Sequence, residues 1–184
     1  MLIAWSQAQN LIFTNGAELG RYREVMAFED LTPLRAGDAA PDFALPDHRG
    51  EEVRLSQVVQ TKPAVLVFVP AAFTATCTGE YCELRDNIEL FQDSHVQLLG
   101  ISVDGKAALR AWAQQEGLDF PLLSDFWPHG EVARKYGVFL EDRGTAARGT
   151  FLVDGSMTIR AAFVNPPGEA RPLAAYREAL AALG

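Results

Sequence analysis

The run Ala64-Val65-Leu66-Val67-Phe68-Val69 is apolar without interruption, and both cysteines of the chain follow within the next turn or two of backbone. An unbroken aliphatic and β-branched run of this length suits a strand buried on both faces, as in the middle of a parallel sheet. Behind it stands Pro70-Ala71-Ala72-Phe73-Thr74-Ala75-Thr76-Cys77-Thr78-Gly79-Glu80-Tyr81-Cys82, and then a segment with Leu84, Ile88 and Phe91 at helical spacing. The local prediction is strand, short loop, helix, with Cys77 in the first turn of the helix.

That position matters for a thiol. Unpaired N–H groups and the positive end of the helix dipole stabilise an anion, and the thiolate is the nucleophilic form of cysteine. Thr74, three residues earlier, can offer a hydroxyl to the same spot. Pro70 has no N–H and fixes the chain as it leaves the strand. The alternative is structural: a buried cysteine behaves as a small hydrophobe, and a threonine before a helix is an ordinary cap.

Composition narrows the partners. The chain has 184 residues, 48% of them hydrophobic, and 16 Lys+Arg against 24 Asp+Glu give a formal net charge of -8. One domain with a full core is the simplest expectation. The acidic balance argues against nucleic acid or an anionic membrane surface as partner. The longest apolar runs fall well short of the ~18 residues that cross a bilayer. The start, Met1-Leu2-Ile3-Ala4-Trp5-Ser6-Gln7, has neither the basic region nor the sustained apolar stretch of a secretory signal, so a cytoplasmic location is expected. Two cysteines are too few for a disulfide scaffold, and without paired histidines nearby no metal site is expected.

The spacing Pro70-x-x-x-Thr74-x-x-Cys77 on a strand-loop-helix resembles the active-site motif of the peroxiredoxins, thiol peroxidases of thioredoxin fold. Ala40-Pro41-Asp42-Phe43-Ala44-Leu45-Pro46 is similar to their entry segment. Ser124-Asp125 with Tyr136-Gly137-Val138 resembles their middle, and Arg148-Gly149-Thr150-Phe151-Leu152-Val153-Asp154 their arginine-bearing strand. The resemblance implies a thioredoxin-like α/β fold, reduction of hydrogen peroxide and alkyl hydroperoxides at Cys77, and no cofactor. It also implies that Arg148 faces the sulfur, with Glu80 orienting it. A peroxide substrate, a thioredoxin-like or glutaredoxin-like reductant and a homodimer are the implied partners.

Cys82 is read in two ways. Cys-x-x-x-x-Cys resembles the bacterioferritin comigratory protein group, in which the second cysteine resolves the sulfenic acid of the first. Pro121-Leu122-Leu123-Ser124-Asp125-Phe126-Trp127-Pro128-His129-Gly130 looks like the alkyl hydroperoxide reductase E group, which commonly relies on one cysteine and an external thiol. A general thiol-disulfide oxidoreductase would use Cys-x-x-Cys and leave Thr74 and Arg148 unexplained. A non-enzymatic binding module on the same fold is a third class.

The remaining chain reads in order. Residues 1–33 form an extension that the thioredoxin-like pattern does not need, with Asn15-Gly16 in a hairpin or a helix, and Leu2, Ile3, Trp5, Ile12 and Phe13 available for packing on the domain or a partner subunit. Residues 34–184 form the domain. Phe43–Leu45 and Val53–Leu55 predict a hairpin, with Ser56 capping a brief turn. Strands are expected at Val96–Val103 and Phe120–Leu123, and helices from Gly105 to Gly117 and from Glu131 to Tyr136. A hairpin about Asp154-Gly155 and a final helix from Arg171 to Leu183 complete a central mixed sheet with helices on both faces. His48, His95 and His129 read as surface or turn residues, and Trp127 as a core residue.

Overall fold

A computed structural model of the chain describes residues 31–166 and 168–183. The two readings of Asn15-Gly16 and the packing role given to Leu2, Ile3, Trp5, Ile12 and Phe13 lie outside the described residues. The apolar run before Pro70 becomes β3, Ala64–Phe68, and every residue of that strand is buried. It is the middle strand of a five-stranded sheet ordered β5-β4-β3-β8-β9. Its neighbours are β4, Gln97–Ser102, in parallel, and β8, Arg148–Val153, antiparallel. Beyond β4 lies β5, Leu122–Ser124, parallel; beyond β8 lies β9, Ile159–Asn165, antiparallel. The sheet is mixed, as the succession of helical crossovers and a final hairpin predicted.

Alternation along β3 divides the core. Leu66 and Phe68 face one layer, with α1 (Leu55–Val59), α5 (Glu131–Lys135), Tyr136 and Phe151; Val65 and Val67 face the other. That second layer holds α2 (Ala75–Asp86), α3 (Glu89–Asp93), α4 (Lys106–Glu116) and α6 (Leu173–Ala181). Successive strand residues point to opposite faces, so a strand apolar at every position needs both layers. Gly100 lets α2 lie close to the sheet. A Cβ there would fall 2.7 Å from the Tyr81 hydroxyl and 2.9 Å from Leu122 Cδ2.

The first hairpin, β1 (Ala44–Pro46) with β2 (Glu52–Arg54), forms as expected. Five expectations need correction. Ser56 is not a cap: its N–H and hydroxyl both donate to Asp42 from inside α1. The helix after the cysteines does not run on to Phe91. It stops at Asn87, whose side-chain amide donates to the Glu83 carbonyl at 2.8 Å, and α3 starts afresh. His48 lies in a turn, as read, but not at the surface, because the β1-β2 turn docks on the edge strand β5: His48 N–H donates to Leu122 O at 2.8 Å, and Leu122 N–H to His48 Nδ1 at 3.1 Å. Trp127 is 81% exposed and no part of the core. Arg171 precedes α6 rather than opening it, since a residue before proline is driven to extended backbone and Pro172 stands at the helix's N-cap.

A small hairpin, β6 (Phe139–Leu140) with β7 (Thr145–Ala146), was not expected from the sequence. Among the described residues no helix is long and apolar enough to cross a membrane.

Candidate active site

The site grows from the C-terminal end of β3. After Phe68 the chain crosses Pro70 and turns through Ala71 to Thr74, with Phe73 in the left-handed region at φ 62°. That turn is pinned from the neighbouring strand: Ala72 N–H donates to Asp104 Oδ2 at 2.8 Å, and Ser102 Oγ donates to the same oxygen at 2.8 Å. Thr74 is the N-cap of α2. Its Oγ1 accepts from Cys77 N–H at 3.4 Å and donates to the Ala71 carbonyl at 3.3 Å. The cap explains why the helix starts here, and it puts Cys77 in the first turn, as predicted. The Cys77 side chain is fully buried.

One turn on, Glu80 is buried between two guanidinium groups. Arg148, the first residue of β8, donates from Nη1 to Glu80 Oε2. Arg171 gives its N–H at 2.7 Å and its Nε at 2.9 Å to Oε1, and Nη2 at 3.2 Å to Oε2. Arg171 Nη1 also donates to the Phe68 and Gly149 carbonyls, each at 2.9 Å, and to Thr150 Oγ1 at 3.2 Å. Arg171 thus ties α2, the end of β3 and the start of β8 together. Glu80, Arg148 and Arg171 are 3%, 2% and 1% exposed.

Two guanidinium groups thus converge on one buried carboxylate. Interiors tolerate charge only when it is paired and hydrogen-bonded, and each Glu80 oxygen accepts from two donors. Tyr81, the residue after Glu80, lies among the same groups. Burial pushes its hydroxyl well above the usual range; Arg171 opposes this, and Cys77, Tyr176 and Glu80 add to it. Tyr81 therefore stays protonated and donates to Val67 O at 2.8 Å. Its ring stacks on Trp112 at 4.9 Å, and Trp112 Nε1 donates to Thr78 Oγ1 at 3.1 Å.

Cys82 points elsewhere. Helix α2 is continuous from Ala75 to Asp86, and both cysteines are free thiols. Five residues along a helix give ~7.5 Å of rise and ~140° of rotation, so the two side chains leave different faces. Cys82 is half-buried against the end of α4.

The structure therefore brings Pro70, Thr74, Cys77, Glu80 and Arg148 to one end of β3 and α2, and it pairs Glu80 with Arg148. Sequence reasoning missed Arg171, which it placed in a helix. Two signals were available: the pre-proline position, and the need of a buried carboxylate beside Cys77 for more than one partner. It also missed Asp104, whose only trace is its place at the end of an apolar strand. Among the described residues no group of three or more His, Cys, Asp or Glu is arranged to hold a metal ion.

Comparison with known proteins agrees with this geometry. The pattern of the AhpC/TSA family matches residues 36–162. Alkyl hydroperoxide reductase E of Mycobacterium tuberculosis is 47% identical over 150 residues, covering 82% of this chain and 98% of that protein. Peroxiredoxin Bcp of Escherichia coli is 41% identical over 111 residues, covering 60% and 69%. Among solved structures, peroxidoxin BcpB from Mycobacterium tuberculosis superposes with a TM-score of 0.71 at 33% identity, covering 82% of this chain and 96% of that one. A reduced 2-Cys peroxiredoxin from Plasmodium vivax gives 0.73 at 27% identity, with 82% of each chain covered. With the motif, the fold and the sequence match in agreement, the chain belongs to the AhpC/TSA family, the peroxiredoxin-type peroxidases.

Proposed function

We propose that this protein reduces hydrogen peroxide and alkyl hydroperoxides through a Cys77 thiolate, with Cys82 as its intramolecular resolving partner. The observation that carries the reading is the placement of Cys77 in the capped first turn of α2, one helical turn before Glu80, which is buried with Arg148 and Arg171. The sulfur attacks the terminal peroxide oxygen, the O–O bond breaks, and water or an alcohol departs. Cys77 is left as sulfenic acid. Arg148 presents fixed donors to the peroxide oxygens, Glu80 and Arg171 hold that guanidinium in place, Thr74 turns its hydroxyl to the substrate, and Pro70 shields one side of the sulfur. Cys82 then condenses with the sulfenic acid, releasing water. A thioredoxin-like or glutaredoxin-like dithiol reduces the disulfide.

A second reading, one-cysteine catalysis with an external thiol, draws on the continuous helix that separates Cys77 from Cys82. The working unit we propose is a thioredoxin-like domain of residues 34–184, preceded by an extension and paired as a homodimer.

Rapid mixing of the reduced protein with one equivalent of hydrogen peroxide or an alkyl hydroperoxide tests the reading. Wild type is expected to consume peroxide and yield a Cys77–Cys82 disulfide on peptide mapping, and Cys77→Ser to do neither. Peroxide consumption undiminished in Cys77→Ser would sink the peroxidase reading; an absent disulfide in wild type would leave the one-cysteine form.

A further inference from the structure

For Cys82 to form a disulfide its thiol proton must leave, and the structure sets a carboxylate against that sulfur. Cys82 Sγ donates to Glu116 Oε2 at 3.6 Å, within reach of the long bonds that sulfur makes. Both the carboxylate and the backbone behind it are held. Gln115 Nε2 donates to its other oxygen, Oε1, at 2.8 Å, and Arg85, three residues past Cys82 on α2, hydrogen-bonds the Glu116 backbone carbonyl.

This is an unfavourable place for an acid on stability grounds. Glu116 is the last residue of α4, where the helix dipole disfavours negative charge, and that final turn has no basic residue. The charged groups facing Cys82 are Arg85 and Asp86 from its own helix and Glu116 from α4. Burial pushes the Cys82 thiol up, Arg85 opposes this, and the hydrogen bond and charge of Glu116 push it further up. At neutral pH the closed enzyme thus holds Cys82 as an unreactive thiol, with a proton acceptor already in contact.

We propose that Glu116 is a catalytic residue of the resolving step, taking the proton from Cys82 and returning it to the leaving oxygen. The inference rests on the reading of Cys82 as the resolving cysteine. Cys82 stays anchored at the end of α4, and the first turn of α2 unwinds to bring the Cys77 sulfenic acid to it. The Cys82 S–H bond breaks and its proton passes to Glu116 Oε2. The Cys82 sulfur attacks the Cys77 sulfur, the S–S bond forms and the S–O bond of the sulfenic acid breaks. The departing hydroxide takes the proton from Glu116 and leaves as water. One sulfenic acid and one thiol become one disulfide and one water, and no external oxidant or reductant enters the step.

The test is rapid mixing with one equivalent of hydrogen peroxide, following tryptophan fluorescence and quenching samples for mass spectrometry, on wild type, Cys82→Ser and Glu116→Gln. The first phase, sulfenic acid formation, reports that each variant is folded. In Glu116→Gln the disulfide phase is expected to slow about 10²-fold near neutral pH, the low end of what a positioned acid-base group contributes. Its rate should then climb with pH as solvent supplies the thiolate, more steeply than the wild-type rate over the same span; a purely structural loss would lower the rate without changing the profile. Glu116→Gln forming the disulfide at the wild-type rate, or with the wild-type pH profile, overturns the role of Glu116. A wild type with no Cys77–Cys82 disulfide overturns the reading of Cys82, and this inference with it.

Discussion

At the scale of single residues, the site is a charge arrangement in which Arg171 and Arg148 share one acceptor yet differ in duty. Arg171 reaches Glu80, two backbone carbonyls and a threonine hydroxyl, so Arg171→Ala would strand several buried polar groups together. Breaking a buried pair from one side costs ~3–5 kcal/mol, and a loss of that order is expected in urea denaturation of Arg171→Ala. Arg148→Lys keeps the charge and gives up the planar set of donors. Its expected signature is kinetic: a peroxide reaction slower by about 10²-fold in stopped flow, with the protein still folded. Equal rates in Arg148→Lys and wild type would remove Arg148 from the chemistry. Thr74 and Cys77 were legible because capping and spacing are local properties of sequence. Arg171 and Asp104 were not, since each earns its role only when chain segments far apart in sequence meet, and no local pattern records that meeting.

Among the elements, α2 is built unevenly. Its first turns read Ala75-Thr76-Cys77-Thr78-Gly79, with two β-branched residues and a glycine that lower helix propensity; from Glu80 onward it is clamped by Arg148, Arg171 and, through Arg85, by α4. Unwinding that starts at the capped end is expected to stop at Glu80. Hydrogen exchange should therefore show the disulfide form losing protection over Thr76–Gly79 and keeping it over Tyr81–Asp86; loss along the whole helix would contradict this division. Gly79→Ala is a sharper probe, because a Cβ there meets nothing within 4 Å. The added propensity of ~1 kcal/mol should make opening roughly fivefold rarer, and disulfide formation slower by the same factor. The long elements were readable from periodicity and punctuation: β3, β4, α4 with its Gly117 stop, and the β8-β9 hairpin. The β6-β7 hairpin was not, since two-residue strands carry no period. The buried turn at His48 escaped notice because its partner, the edge of β5, is supplied by tertiary packing.

That turn also gives the sheet edge a pH response. Burial holds His48 below the ordinary histidine range, with Arg49 and Arg110 adding to this and Asp47 opposing it. Between its folded value and ~6.5 the unfolded chain binds a proton that the folded one does not, so stability rises with pH through that window and is lost as pH falls through it. The wild-type melting temperature is expected to drop from about pH 7.5 to about pH 5 more than that of His48→Gln, whose amide oxygen can still accept from Leu122 N–H. Parallel curves would show that His48 titrates alike in both states.

On the whole molecule, the face that carries Phe126 and Trp127 sets a different problem. These side chains are 55% and 81% exposed, and among the described residues the one other exposed large hydrophobic is Phe73, at 48%. Leaving an indole in water forfeits much of the ~1.5–3 kcal/mol that burial of a large apolar side chain contributes. The loop holding them is nonetheless ordered by polar bonds beneath: Asp125 accepts from Val132 N–H at 3.1 Å and Ala133 N–H at 2.9 Å, and His129 bonds the Gly144 carbonyl at 2.7 Å. A rigid loop that presents aromatic side chains outward has the composition of an interface centre, where Trp and Phe are enriched. A second copy of the chain fits the homodimer proposed above, with the symmetry that makes one patch meet itself. Sedimentation velocity at micromolar concentration is expected to give a dimer for wild type and a monomer for Trp127→Glu, because like charges would then face each other across the two-fold axis. Peroxide consumption should persist in the monomer, as Cys77, Glu80 and Arg148 are buried within the one chain whereas Trp127 is exposed. A monomeric wild type, or a dimer untouched by Trp127→Glu, would assign this face to something other than self-association.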